Sequence, residues 1–419
     1  MTVPSILQRL SDNRIAFHVC VTVCSLLLMF SRRPDAFLNP QFWAEDGAVW
    51  YADAYNHGIF YSLMTPEAGY YQTVSRLVAI FAQLFPLYFA PAVFNFVAIA
   101  VKALIANFLV SSRLSEIVRS FAVRLLIGFV YLALPHSGET HANLTNVQWH
   151  LALLAFLVIV VPGKHTAAKA FDIVVVAISA LSGPFCLLLL PIAAVRFAVT
   201  RDRASVPVLL ILAAGSLIQL GALLTSERPS RQPLGATVSL ASKIVGGHWF
   251  LSAIAGERWH GWLIRHSIWN DATAIVVNIA GVALTVYAAI RARIELRLLI
   301  IFSAMIVAGA LLSPAASGDV PQWTAMWLSG IGSRYWLIPI FTFFLVLIFI
   351  ALRGRVAPVR YLAMALLLLS LAGIATDWRY ARFKDLSFHM HAARFESAAP
   401  GEEVVIPINP DWGMRLRKK

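Results

Sequence analysis

Two adjacent carboxylates, Glu45 and Asp46, stand in the run Asn39-Pro40-Gln41-Phe42-Trp43-Ala44-Glu45-Asp46-Gly47-Ala48-Val49-Trp50-Tyr51-Ala52-Asp53. In a partly dry site a carboxylate can be tuned as a general base. The surrounding aromatics suit stacking on a sugar ring. They also suit simple anchoring at a lipid interface, and an acidic pair beside glycine can cap a helix. Further along come Glu67, Tyr70, Tyr71 and Arg76.

A second polar run spans His136-Ser137-Gly138-Glu139-Thr140-His141-Ala142-Asn143-Leu144-Thr145-Asn146-Val147-Gln148-Trp149-His150. Three histidines and Glu139 could hold a divalent metal, but no standard ligand spacing is present. These residue types favour a substrate-facing turn, with Glu139, His141 and Trp149 as its contacts. A third stretch, 226–271, mixes Arg228, Arg231, Lys243, His248, Glu257, Arg258 and His260 with Trp249, Trp259, Trp262 and Trp269. Basic and aromatic residues together suit a lipid-phosphate headgroup or plain interfacial anchoring. Finally, Gly332-Ser333-Arg334-Tyr335-Trp336 opens an apolar run. Arg334 there is placed to meet a phosphate, because a guanidinium makes paired bonds to phosphate oxygens; snorkelling to the interface is the plainer alternative.

The elements that must position these residues follow from composition. Of 419 residues, 59% are hydrophobic and 13% charged, with a mean hydropathy of +0.73. Soluble domains carry about 25% charged residues. A water-soluble globule, a coiled coil and a disordered chain are therefore excluded. The fold class expected is an all-α polytopic membrane protein. Apolar runs of spanning length fall at 15–31, 90–112, 121–136, 148–162, 170–182, 184–198, 204–225, 272–290, 298–313, 335–352 and 360–376, about eleven crossings. The pair 170–182 and 184–198 meets at Ser182-Gly183-Pro184, where irregular backbone must be covered by protein. The segment 73–88 is short and followed by Pro86 and Pro91, so it is expected to dip into the membrane without crossing. Residues 238–255 are expected to lie in the interface as a helix. The transmembrane domain would thus cover 1–376, with outer loops 32–72, 136–148, 226–271 and 314–334. A tail, 377–419, would carry one short strand and fold back on those loops.

Orientation follows from charge. Inner loops are rich in Lys and Arg. With the N-terminus inside, the inner segments hold 16 basic and five acidic residues, and the outer ones 17 and 16. The formal net charge of +13 then falls as +11 inside, +1 outside and +1 at Lys102 within a span. The basic balance follows topology and requires no nucleic-acid partner. Ser31-Arg32-Arg33 after the first span favours an uncleaved helix over a signal peptide. The cysteines, Cys20, Cys24 and Cys186, lie in apolar stretches and offer neither a disulfide framework nor a zinc finger.

These segments resemble the GT-C superfamily of integral-membrane glycosyltransferases. The likeness rests on Glu45-Asp46 after the first span, on the surface-helix candidate 73–88 with Tyr70, Tyr71 and Arg76, and on the broken helix at Gly183-Pro184. The W-A-E-D-G, L-S-G-P-F, G-S-R-Y and I-P-I-N-P segments are also similar to those of bacterial membrane proteins related to that superfamily. The motifs cover about a tenth of the chain. The resemblance implies a multi-pass protein of a bacterial inner (plasma) membrane, N-terminus cytoplasmic and C-terminus extracytoplasmic. It implies transfer of a sugar from a polyprenyl-phosphate donor to a glycan or lipid acceptor on the outer face. Asp46 or Glu45 would be the base. Arg334, with Arg76 or Arg258, would neutralise the leaving phosphate, and Tyr70, Tyr71, Glu139, His141, Trp149 and Tyr335 would bind substrate. The chain departs from the family in lacking an Asp-x-Asp or Asp-Asp pair, which leaves a divalent metal as an option rather than a requirement. A transporter or flippase and a lipid-linked glycan polymerase or ligase are the competing classes. Only Lys102 lies deep in a span, where a transporter usually places several ionisable groups.

Overall fold

The computed structural model describes residues 14–226 and 232–419. Two residues of the inner-side charge count, Arg9 and Asp12, lie outside the described residues, as do Arg228 and Arg231 of the long loop. The chain is mostly helical. Among the described residues, eight helices are long and apolar enough to cross a membrane. The protein is a helical, multi-pass membrane protein.

Seven of the eight coincide with expected spans: Ile15–Arg32, Leu87–Glu116, Arg203–Thr225, Asp271–Arg291, Ile294–Leu312, Ser333–Arg353 and Ala357–Thr376. Local signals start several of them. Pro91, Pro207 and Pro358 sit in first turns, where a missing N–H costs nothing. Asn270 and Thr273 form a reciprocal capping box at the start of Asp271–Arg291. The four other expected spans are the helices Phe121–Ala133, Val147–Val160, Thr166–Ala180 and Phe185–Thr200, of 13, 14, 15 and 16 residues. At a rise of about 1.5 Å per residue they measure roughly 20–24 Å, short of a hydrocarbon layer of about 30 Å. Val147–Val160 is buried at every position. It is enclosed by other helices, so the length that lipid demands does not apply to it.

The eighth apolar helix is the stretch expected to lie in the interface. Val238–Arg265 is helical almost throughout but breaks at Gly256, where φ is 82° and ψ 172°. A side chain there would bring a Cβ to 2.8 Å from Asp377 Oδ2, so glycine alone fits. The break puts the backbone amides of Glu257 and Arg258 onto the Asp377 carboxylate, at 2.6 and 3.3 Å.

The helix Thr73–Ala82 has 10 residues, too short to cross, as expected of 73–88. Its entry segment pairs with the broken pair. Thr73 N donates to Leu181 O at 3.1 Å and Gly183 N to Tyr71 O at 2.8 Å. Gly183 adopts φ +107°, and a Cβ there would lie 3.1 Å from Gln148 Cβ. Gly183→Ala is therefore expected to cost about 1–2 kcal/mol, read as a lower unfolding temperature in lipid. An unchanged temperature would show that the break tolerates a side chain.

The tail runs back over the first loop and carries more than one strand. It contains the helix Phe388–Glu396 and two strands, Glu403–Ile408 and Trp412–Arg417. These pair antiparallel, from Glu403 opposite Arg417 to Ile408 opposite Trp412. The single expected strand thus has a partner. Ile406, Ile408, Met414, Leu416, Phe388 and Phe395 bury against Phe42, Trp50 and Phe94, and Ala44 N donates to Asn409 O at 2.6 Å. First loop and tail form one small core set on the larger core of the helix bundle.

Candidate functional site

A cavity of about 620 Å³ opens where the first loop, the 136–146 turn, the Gly256 break, the 330–334 turn and the start of the tail meet. Its wall carries Arg33, Arg258, Arg334 and Arg379, with Glu139, Glu257 and Asp377, and with Trp43 and Tyr380 as aromatic faces. Four guanidiniums and three carboxylates share one concave surface with rings that can stack.

The arginines are not equivalent. Arg334 is already neutralised. Its guanidinium is paired with Glu139, its backbone N–H donates to Glu139 Oε2 at 3.0 Å, and Nη2 reaches Tyr335 Oη at 3.1 Å. Arg33 is 7% exposed. It donates to His141 O at 3.2 Å and stacks over Phe383 at 4.4 Å, and its buried Nε has no partner. Burial makes Arg33 a weaker cation than usual, with Asp35 and Tyr380 opposing that shift and Arg32 adding to it. Arg258 and Arg379 are exposed at the mouth. Arg258 Nη2 donates to Arg379 O at 2.7 Å, which holds the two side by side. Arg33, Arg258 and Arg379 are the cations a phosphate could meet without displacing a carboxylate. Burial pushes the Tyr380 phenol up, against the pull of Arg32 and Ser137, so it stays a neutral stacking and hydrogen-bonding group.

From His136 on the wall, a chain of imidazoles runs inward. His136 Nδ1 lies 3.1 Å from Glu257 Oε2 and His136 Nε2 lies 2.8 Å from His248 Nδ1. His248 Nε2 lies 2.6 Å from Met326 O. The Val245–Leu251 turn that carries His248 is π-helical, as is Asp46–Tyr51 in the first loop. Wide turns of this kind concentrate at functional sites.

Several residues singled out in the sequence serve other ends. Asp46 is 1% exposed. Its Oδ2 accepts from Leu144 N at 3.0 Å, and its Oδ1 from Thr145 N at 2.7 Å and Thr145 Oγ1 at 2.9 Å. Both oxygens are engaged and the residue is buried off the cavity lining, so Asp46 clamps the turn and does not face a substrate. Burial pushes its carboxyl up to about 7, against the three donors, with Glu45 adding to the rise. Arg76 is 1% exposed, pairs with Asp53 at 2.9 Å and lies over the Trp50 ring. It ties the Thr73–Ala82 helix to the first loop, away from the cavity. His141 is fully buried against Lys102 Nζ, 3.3 Å away. His150 bonds Tyr131 Oη and Thr140 O at 2.8 and 3.0 Å. The histidines of 136–150 therefore point to three different partners. Among the described residues no group of three His, Cys, Asp or Glu could hold a metal ion.

Glu45 differs from its neighbour. It is half-buried, and among the described residues no hydrogen bond or ion pair engages its carboxylate. It stands between Trp43, on the cavity wall, and the Asp46 clamp. Tyr70 feels the charges of Arg334, Tyr335, Glu45 and Glu67, and burial pushes its phenol up to about 12. Tyr71 contributes backbone, with its N–H given to Gln219 Oε1 at 2.9 Å. Trp149 packs edge-on to Tyr335 at 5.4 Å, beneath the wall.

Arg33, Asp377, Arg379 and Tyr380 were not expected from the sequence. Each lies within four residues of the C-terminal end of an apolar helix, at Arg32 or Thr376, and pairing those helix ends with one another would have found them. No protein-family model, no curated protein and no solved structure matches this chain.

Proposed function

We propose that this protein is a membrane glycosyltransferase of GT-C type, moving a sugar from a polyprenyl-phosphate donor to a glycan or lipid acceptor. The cavity faces the extracytoplasmic side of a bacterial inner membrane, with the N-terminus cytoplasmic, the C-terminus outside and eleven crossings that include the four short helices. The observation that carries this reading is the cavity itself, in which the free cations Arg33, Arg258 and Arg379 stand beside Trp43 and Tyr380 at the ends of apolar helices. A lipid-linked phosphate sugar presents the matching parts: an acyl-like chain for the membrane, an anion for the guanidiniums and a ring for the aromatics. Glu45 is the base that takes the acceptor hydroxyl's proton. The acceptor oxygen bonds to the sugar's anomeric carbon as that carbon's bond to the phosphate oxygen breaks. Polyprenyl phosphate leaves with the electron pair, its charge met by Arg258 and Arg379.

Replacing Arg258 and Arg379 together by Ala is expected to weaken binding of a polyprenyl phosphodiester about tenfold, and less in high salt, because both charges are exposed. Unaltered affinity across salt concentrations would remove the phosphate role from the cavity mouth.

A transporter or flippase is the second reading, and Lys102 is the observation favouring it. That lysine is fully buried in an apolar helix and reaches His141, whose backbone carbonyl holds Arg33 on the cavity wall. Ionisable groups at such depth commonly mark a transport path.

A further inference from the structure

Three contacts run in series from the cavity wall into the protein: Glu257 to His136, His136 to His248, and His248 to the Met326 carbonyl, at 3.1, 2.8 and 2.6 Å. Each contact needs one proton between its two heavy atoms. The carboxylate and carbonyl oxygens supply none, and two neutral imidazoles supply two. The chain is one proton short.

We infer that Glu257, His136 and His248 together hold one proton beyond that of two neutral imidazoles and a carboxylate, and that this proton is coupled to anion binding in the cavity. The count is the same whether the extra proton sits as an imidazolium on His136 or His248, or as the acid of Glu257. Either way the trio is uncharged where it meets the cavity, not anionic. The surroundings suit this. The two imidazoles are 1% and 0% exposed, and their contacts to each other and to Glu257 and Met326 are direct. His248 lies flat against the Trp336 ring, 5.4 Å between centroids, a face that attracts a cation. Asp377 accepts from the backbone N–H groups of His136, Glu257 and Arg258, and its negative charge favours the proton. Arg258 opposes it. His260 stands edge-on to His248 at 5.1 Å, with its Nδ1 3.3 Å from Ser252 Oγ. Across the cavity, Arg334 and Glu139 cancel each other.

The consequence for ligand is a sign. An anion beside a neutral trio is held by Arg33, Arg258 and Arg379. Removing the proton places a full negative charge on the same wall and expels the anion. The coupling rests on the reading of the cavity as a phosphodiester site, whereas the proton count does not.

Glu257→Gln separates the two. A glutamine N–H can donate to His136 Nδ1, so the variant supplies the third proton covalently, keeps the shape and is uncharged at every pH. Nitrogen-15 and carbon-13 NMR of histidine- and glutamate-labelled protein in lipid at pH 8 is expected to show the extra proton in wild type, as an imidazolium or as a carboxylic acid. Both rings should be neutral in the variant. Methyl farnesyl phosphodiester, which does not titrate in this range, is expected to bind wild type about tenfold more weakly at pH 9 than at pH 6. Its affinity for Glu257→Gln should match wild type at pH 6 and stay flat. Two neutral rings beside an ionised Glu257 in wild type at pH 8 would overturn the proton count. A proton present with binding that is absent, or equally pH-dependent in both proteins, would overturn the coupling.

Discussion

Glu45→Gln is expected to lower sugar transfer by about 10²–10⁴-fold, the usual worth of a positioned general base, and to leave donor affinity unchanged. Glutamine keeps the size and the polar end of the side chain and removes only its ability to take a proton. The structure explains why the effect should be confined to catalysis. Among the described residues no hydrogen bond or ion pair holds the Glu45 carboxylate, so its loss breaks no such contact there. Single-turnover measurement with excess protein reads the chemical step directly, and an affinity measured alongside isolates binding. Full transfer by the variant would remove Glu45 from the mechanism and turn attention to Glu257, a carboxylate on the cavity wall itself.

Asp46→Asn should behave in the opposite way, through stability. The Asp46 oxygens accept three hydrogen bonds from Leu144 and Thr145. Asparagine offers one oxygen and sets an NH2 against a backbone N–H. Leaving a buried donor unmet costs about 1–3 kcal/mol, and the variant's deficit should be largest in acid. The pH dependence gives a sharper signature. The folded-state carboxyl is raised to about 7 by burial, from an unfolded value near 3.9. The folded state therefore binds more protons between those values. Wild-type stability is fully present below about pH 4, falls as pH rises toward 7 and levels off above it, by no more than about 4 kcal/mol. The asparagine variant has no such slope. Thermal unfolding of both proteins across pH 4–9 is expected to show a gap that closes as pH rises. Parallel curves would mean that Asp46 does not titrate differently in the folded state.

These two neighbours also mark the limit of what a sequence discloses. The pair was legible as unusual, because two acids among aromatics after an apolar span demand a reason. Which acid is free was not legible, because the donors that fill Asp46 lie 98 and 99 residues away. The same holds for Glu139 and Arg334. Each stood out in its own run, yet their pairing across 195 residues turns Arg334 from a free cation into a neutralised one. Arg76 likewise looked available until Asp53 and Trp50 closed on it. The spans divide in the same way. Seven were read from apolar length, because lipid imposes that length directly. The four short helices, 13 to 16 residues long, look in sequence like any other apolar run, because apolar composition does not distinguish a lipid neighbour from a protein one. The Gly183 break was legible from Ser182-Gly183-Pro184. Its bridge to Gln72 was not, since nothing local to either segment points to the other. The tail was expected to return to the loops on its Ile406-Pro407-Ile408-Asn409-Pro410 run, and it does so, while Arg379 and Tyr380 of its first turn reach the cavity on the strength of the fold alone.

The most direct test is the fate of the donor. The protein in lipid vesicles, offered a panel of polyprenyl-phosphate sugars together with a membrane glycan extract, is expected to release polyprenyl phosphate and to form a glycosylated acceptor. Release should be lost in Glu45→Gln and retained in the folded fraction of Asp46→Asn. Passage of the intact donor from one leaflet to the other, with its sugar–phosphate bond unbroken, would contradict a transferase and establish transport in its place.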